Sequence, residues 1–222
     1  MYNLSLEFGI AGSKDDKYVR DSVPGCFHYF QKFVILALMA EGGYKIRNQE
    51  GLYFVTFTVV QWIDIFTRPV FAEIVVDSLN YCIREKGLLV HAWVLMPNHF
   101  HGILSAAENQ NLSDIIRDFK KFTAGKILKE LENSEIESRK NWLLWLFKDA
   151  GTRNSRNEQY QFWQQENHPV ELTNSEMIAQ RKNYLHENPV KSGLVWEPWH
   201  YRYSSACDYM NDGKGLVEIE FI

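Results

Sequence analysis

The chain has 222 residues, of which 45% are hydrophobic and 23% charged, enough to bury a sizeable core in one domain with extensions, which excludes a disordered or fibrous protein. Its 24 Lys and Arg stand against 28 Asp and Glu, a formal charge of -4, so no global positive field marks a nucleic-acid binder, and an anionic partner must be held by a local basic patch. Cys26, Cys82 and Cys207 are an odd, scattered set with no CxxC pair, which argues against a disulfide framework or a cysteine zinc site and for reduced, half-buried thiols in a cytoplasmic protein.

The longest apolar run near the start, 33–40 (FVILALMA), falls far short of the roughly 20 residues that span a bilayer. The acidic residues Glu7, Asp15, Asp16 and Asp21 do not suit a signal peptide. No membrane partner is expected. Met39 is followed by a polar, Gly-punctuated lead-in to a clear strand, as a natural amino terminus reads. Residues 1–38 are therefore expected to be an appended segment or an upstream start with no part in catalysis, and the domain division is an N-terminal extension or mis-assigned start over 1–43 and one domain over 44–222.

LYFVTFTVV (52–60), rich in β-branched and aromatic residues, predicts a strand with Thr56 and Thr58 on one face. After Arg68-Pro69, the residues Val70, Ile74, Val75, Leu79, Cys82 and Ile83 recur near helical spacing up to Lys86-Gly87, which predicts an amphipathic helix. LLVHAWVLM and, beyond Pro97-Asn98, HFHGILS read as an antiparallel pair. Ser113 is expected to cap a second helix with Ile115, Ile116, Phe119, Phe122, Ile127, Leu128 and Leu131 on its buried side and a basic face opposite. Residues 133–160 read as a partly helical segment around NWLLWLF followed by a polar loop, and QFWQQ as a short strand or turn. NSEMIAQRKNYLHEN predicts a third helix, capped at Asn174 or Ser175 and stopped before Pro189. The aromatic, turn-rich tail ends in a short alternating strand. This order suggests an α+β fold, a ferredoxin-like sandwich whose antiparallel sheet carries its helices packed on one face.

The sharpest chemical signal is His99-Phe100-His101 at the start of a predicted strand, because side chains two apart on a strand point the same way and two imidazoles can then reach one ion. An isolated HxH is more often a pair of polar residues beside a turn. In the third helix Tyr184 and Asn188 are four apart and share a face, so a hydroxyl nucleophile and an oxygen ligand are presented side by side. Taken alone, such a Tyr is usually a packing residue, and Asn before Pro an ordinary helix end. Imidazole nitrogens with an amide oxygen and open water positions suit Mg²⁺ or Mn²⁺ in phosphoryl chemistry, though imidazole equally tolerates zinc. No Gly-rich phosphate loop occurs.

The stretches HAWVLMPNHFHGIL, QFWQQENHPVEL and NYLHENPVKSGLV resemble the single-tyrosine HUH transposases (IS200-like), most closely the REP-associated tyrosine transposase branch, over about 44–222. The resemblance implies a divalent ion at His99 and His101, with Asn188 completing the metal site, and Tyr184 as catalytic nucleophile. It also implies cleavage and rejoining of single-stranded or hairpin DNA at hairpin-forming repeats through a covalent 5′-phosphotyrosine, with the protein a monomer or homodimer. Two features depart from the family pattern, the residues before the first strand and the acidic overall balance. A domesticated, non-catalytic DNA-binding protein and a metal-dependent phosphodiesterase using the HxH pair are the alternatives.

For the DNA track, Ile115 to Glu130 carries Arg117, Lys120, Lys121, Lys126 and Lys129 against Asp118 and Glu130, a local positive face able to neutralise phosphates. Trp142, Trp145 and the aromatics from Trp196 to Tyr203 are expected mostly in the core, with stacking on unpaired bases as the alternative. His168 reads equally as a neighbour of the site, which the resemblance suggests, or as an ordinary loop residue.

Overall fold

The first predicted strand forms as β1, Tyr53–Thr58, in a computed structural model that describes residues 45–153, 159–165, 167–210 and 213–222. The expectations for residues 1–43 and for Cys26 lie outside the described residues. Tyr53, Val55 and Phe57 enter one apolar core and Phe54 enters a second, the alternation that a pleated strand imposes. Helix α1, Pro69–Lys86, starts with proline at its first turn and ends at Gly87, whose φ of 68° is open to glycine at little cost. β2 (Leu88–Met96) and β3 (His99–Ala106) follow as the expected antiparallel pair. Then come α2 (Leu112–Asn133), α3 (Lys140–Thr152), the two-residue β4 (Val170–Glu171) and α4 (Ser175–Lys191).

The sheet order is β2-β3-β1-β4, antiparallel throughout. This is the ferredoxin-like arrangement, with α3 inserted before β4, so the fold is α+β as expected. The placement of all helices on one face needs correction. α1, α2 and α3 share the core of Val55, Phe57, Phe100 and Leu104, whereas Leu185 of α4 packs with Phe54, Ala92, Val94, Met96 and Ile103 on the other face. Nearly every residue of β2 is buried, and a sheet that is apolar on both faces must be covered on both. Gly102 leaves the space that the Phe100 ring fills, since a Cβ there would meet that ring at 2.7 Å.

Loops bond to the parts of β1 and β2 that no strand pairs, which covers strand edges that would otherwise invite mispairing. Along β1, Gln164 N donates to Thr58 O (2.7 Å) and Thr56 N to Asn167 O (3.0 Å). Along β2, Leu95 N donates to Tyr203 O (2.8 Å) and Ser205 N to Trp93 O (2.9 Å).

Five local expectations are corrected. The cap of α2 is Asn111, whose side chain accepts from Asp114 N at 3.0 Å; Ser113 lies inside the helix, and Phe122 is 62% exposed because the buried stripe runs through Ile115, Ile116, Phe119 and Ile127. α4 does not stop before Pro189 but continues to Lys191. The tail ends without a strand among the described residues and instead donates Glu220 N to Val90 O (2.9 Å). Trp142, Trp145, Trp196 and Trp199 are exposed; in α3 the inward stripe is taken by Leu143, Leu146 and Phe147, which turns the tryptophans outward.

Candidate active site

The pairing of β1 with β3 builds the floor of the site, because Thr56 lies opposite His101 and Thr58 opposite His99. Both histidines are buried on the sheet face that α4 covers, and their rings stand 4.6 Å apart at 73°. Phe100 between them points into the other core and stacks on Phe57 at 5.4 Å. That apolar anchor fixes the strand while the imidazoles face α4.

Each ring is oriented through its Nδ1. His101 Nδ1 lies 2.8 Å from Thr56 Oγ1, and Asn98 Oδ1 accepts from His99 Nδ1 at 2.6 Å. An amide oxygen only accepts, so the His99 tautomer carries its proton on Nδ1 and a lone pair on Nε2. His101 Nε2 is buried and has no hydrogen-bond partner among the described residues. Burial pushes His99 down to about 4 and takes His101 well below the usual imidazole range, the latter helped by repulsion from a protonated His99 and by the Arg181 charge. Both rings are neutral at physiological pH, the form that binds a metal.

From the opposite side, α4 presents Tyr184, whose ring lies 5.5 Å from that of His101 and 6.1 Å from that of Phe54. Burial raises its phenol above the usual value, against the Arg181 charge and a hydrogen bond with the Asn188 side chain, which both lower it. Asn188 is buried one turn further along. The structure therefore brings His99, His101, Tyr184 and Asn188 into one neighbourhood. Among the described residues no three His, Cys, Asp or Glu side chains group into a metal site, so two imidazoles and a neutral amide oxygen are the available donor set. A hard divalent ion fits such a set when water and substrate phosphate oxygens supply its remaining positions. The buried, unpartnered Nε2 of His101 is the observation that supports the fit.

Sequence reasoning missed four neighbours. Arg181 lies over the Phe54 ring at 5.2 Å, and Lys191 Nζ stands 5.9 Å from the Tyr184 ring centroid. Their positions, three before and seven after Tyr184, put them on its helical face and were a readable signal. The strand pattern puts Thr56 and Thr58 on one face but does not mark Thr56 as a support for His101. Asn98 reads in the sequence only as part of a turn. His168 adopts a left-handed φ of 41° in the loop beside β1.

The basic face of α2 divides. Arg117 pairs with Asp114 and Asp118, and Lys86 also binds Asp118. Lys120 points inward, donating to Gln164 O (2.8 Å) and Asn167 Oδ1, and burial lowers it to about 8. Its charge holds the loop against β1. Lys121 and Lys126 are exposed.

The family described as "Transposase IS200 like" matches residues 52–188. Among solved structures, a REP-associated tyrosine transposase bound to a REP hairpin is 16% identical with a TM-score of 0.56, covering 82% of this chain and 92% of that one. A candidate transposase from Deinococcus radiodurans R1 is also 16% identical, with a TM-score of 0.38 and coverages of 67% and 97%. No curated protein matches the chain. The first structural likeness shows a shared fold. The family match runs from β1 to Asn188 and takes in more than half of the sequence, together with both histidines and the tyrosine, and on that ground the chain belongs to the IS200-like transposase family.

Proposed function

We propose that the unit 44–222 cleaves and rejoins single-stranded DNA at hairpin-forming repeats, as a REP-associated tyrosine transposase, with Tyr184 as nucleophile. The observation that supports this most is the approach of Tyr184 on α4 to the histidine pair on β3, two elements far apart in sequence, with ring centroids 5.5 Å apart. A phosphate that reaches this place meets the phenol and the imidazoles together.

Tyr184 Oη attacks the scissile phosphorus, a 5′-phosphotyrosine bond forms, and the bond to the 3′-oxygen breaks, that oxygen leaving as a hydroxyl after protonation. Rejoining reverses the step, the 3′-hydroxyl of an incoming strand attacking the phosphotyrosine, so the bond energy is kept and no nucleotide cofactor is needed. Because burial holds the phenol protonated, its proton must leave as attack proceeds. Arg181, whose charge lowers the Tyr184 value, favours that loss and faces the incoming phosphate. His99, His101 and Asn188 would hold Mg²⁺ or Mn²⁺. The ion, when bound, would polarise the phosphate and offset its developing charge. Asn98 holds the His99 proton on Nδ1, and Thr56 orients the His101 ring through its Nδ1.

Denaturing electrophoresis of a labelled hairpin oligonucleotide, with and without Mn²⁺, tests this reading. The wild type is expected to form a protein–DNA adduct that needs the ion. Tyr184→Phe keeps the ring and deletes one oxygen, so DNA binding should persist while cleavage and adduct vanish. A Tyr184→Phe protein that still cuts would indicate hydrolysis at the metal, and a wild type that binds DNA without ever cutting would indicate a non-catalytic descendant.

A further inference from the structure

Beside the histidine pair stands an exposed aromatic ring. Trp62 ends the short turn Val60–Trp62 that follows β1, is 45% exposed, and sets its ring 5.8 Å from that of His99 at 72°. Gln61 and Trp62 hold φ values of 55° and 57°, a left-handed conformation that residues with a Cβ adopt only at a cost. Two consecutive strained residues persist because the surroundings hold them. Trp62 N donates to Val59 O (3.0 Å), and Asn98 Nδ2 donates to Trp62 O (3.3 Å). The same Asn98 accepts from His99 Nδ1, so one amide side chain fixes both the Trp62 backbone and the His99 ring.

We infer that Trp62 is a stacking platform for an unpaired nucleobase of the strand whose phosphate is held at His99 and His101. This rests on the single-stranded DNA reading above and adds to it the group that sets the register of the strand. An indole offers a broad π-face to any base, and such stacking is tolerant of sequence. The turn is held before DNA arrives, so little freedom is lost on binding. A nucleotide bound through its phosphate at the histidines carries its base to a ring lying directly beside His99. The stack decides which phosphate meets Tyr184.

Single abasic sites walked through the positions flanking the cleavage point provide the test, with wild type, Trp62→Ala and Trp62→Phe compared for cleavage, and binding measured separately in a Tyr184→Phe background. One abasic position is expected to lower wild-type cleavage and binding by about 5- to 150-fold, the range of a lost base–aromatic stack. Trp62→Ala should show that loss on intact DNA and no further loss at the abasic position, and Trp62→Phe should recover most of it. An abasic penalty of the same size in Trp62→Ala as in wild type would overturn the inference, as would intact DNA cut and bound by Trp62→Ala within twofold of wild type. If no protein cuts DNA, the chemistry proposed above fails, while the binding comparison still decides the role of Trp62.

Discussion

Thr56 and Asn98 decide how the two imidazoles face the space under α4, since each engages an Nδ1 and leaves the Nε2 side toward the site. Outer-shell bonds of this kind carry a measurable share of metal affinity, typically 10- to 100-fold. Thr56→Val keeps the shape of the side chain and removes the oxygen near His101. We expect Mn²⁺ affinity to fall by roughly 10-fold with little change in thermal stability, as read by calorimetric titration of the protein without DNA. An unchanged Mn²⁺ isotherm would remove Thr56 from the site. At this scale the sequence showed which candidate residues share a face, because HxH and a Tyr four before an Asn are spacings that chain geometry converts directly into shared faces. It did not show the supports. Thr56 reaches His101 only through strand register, a pairing 45 residues apart that no local pattern encodes, and Asn98 acts through the rotamer of a turn residue.

Among the elements, α2 and α4 depart most from expectation, each for a physical reason. Helical periodicity places Lys120 on the border of the α2 basic face, but it cannot say that Gln164 and Asn167 will lie within reach of its ammonium. Lys120 is thus a structural group, and reversing its charge would set a carboxylate against two oxygens. Lys121→Glu with Lys126→Glu is the cleaner test of the α2 face: both side chains are exposed, so the fold should survive by circular dichroism. We expect weaker binding of single-stranded DNA and a salt dependence shallower by roughly 0.7 per lost phosphate contact. Equal affinity and slope would mark this face as merely solvated. In α4, the sequence predicts a stop before Pro189 because the residue preceding a proline is disfavoured in the α region. The pattern could not reveal that Pro189 is buried or that Leu194 N donates to Pro189 O at 2.9 Å, which closes the helix end beyond it. Continuation through Pro189 keeps Asn188 within helical geometry, one turn from Tyr184, rather than at a fraying end.

Across the whole molecule, a sheet covered on both faces accounts for the chemistry as well as the fold. β1, α1 and the β2–β3 pair were legible because their periodicities are strong, but the side taken by the third helix depends on both faces of β2 being apolar, a property of the assembled sheet. One consequence is that His91, His99, His101 and His186 are all buried, with burial the leading cause that lowers each below the ordinary imidazole value. His186 of α4 reaches about 4 and shares a 2.9 Å hydrogen bond with Ser205 Oγ. A folded value below that of the unfolded chain means that, between pH 6.5 and about 4, the unfolded chain binds protons the folded chain does not. Stability from these groups is therefore complete above pH 6.5 and is lost as the solution is acidified toward 4. His99 and His186, each moved from 6.5 to about 4, correspond to roughly 3 kcal/mol apiece over that window. Glu137, buried and held down to about 2 against its burial by hydrogen bonds from Arg139 and Arg68, extends the loss below pH 4.5. Urea unfolding at pH 7, 5.5 and 4.5 should show a falling midpoint, and Mn²⁺ should steepen the fall, since an ion that binds only neutral imidazoles of the folded chain adds stability that protonation removes. A midpoint constant from pH 7 to 4.5 would mean that these rings are hydrated in solution, and the enclosed site between α4 and the sheet would have to be abandoned.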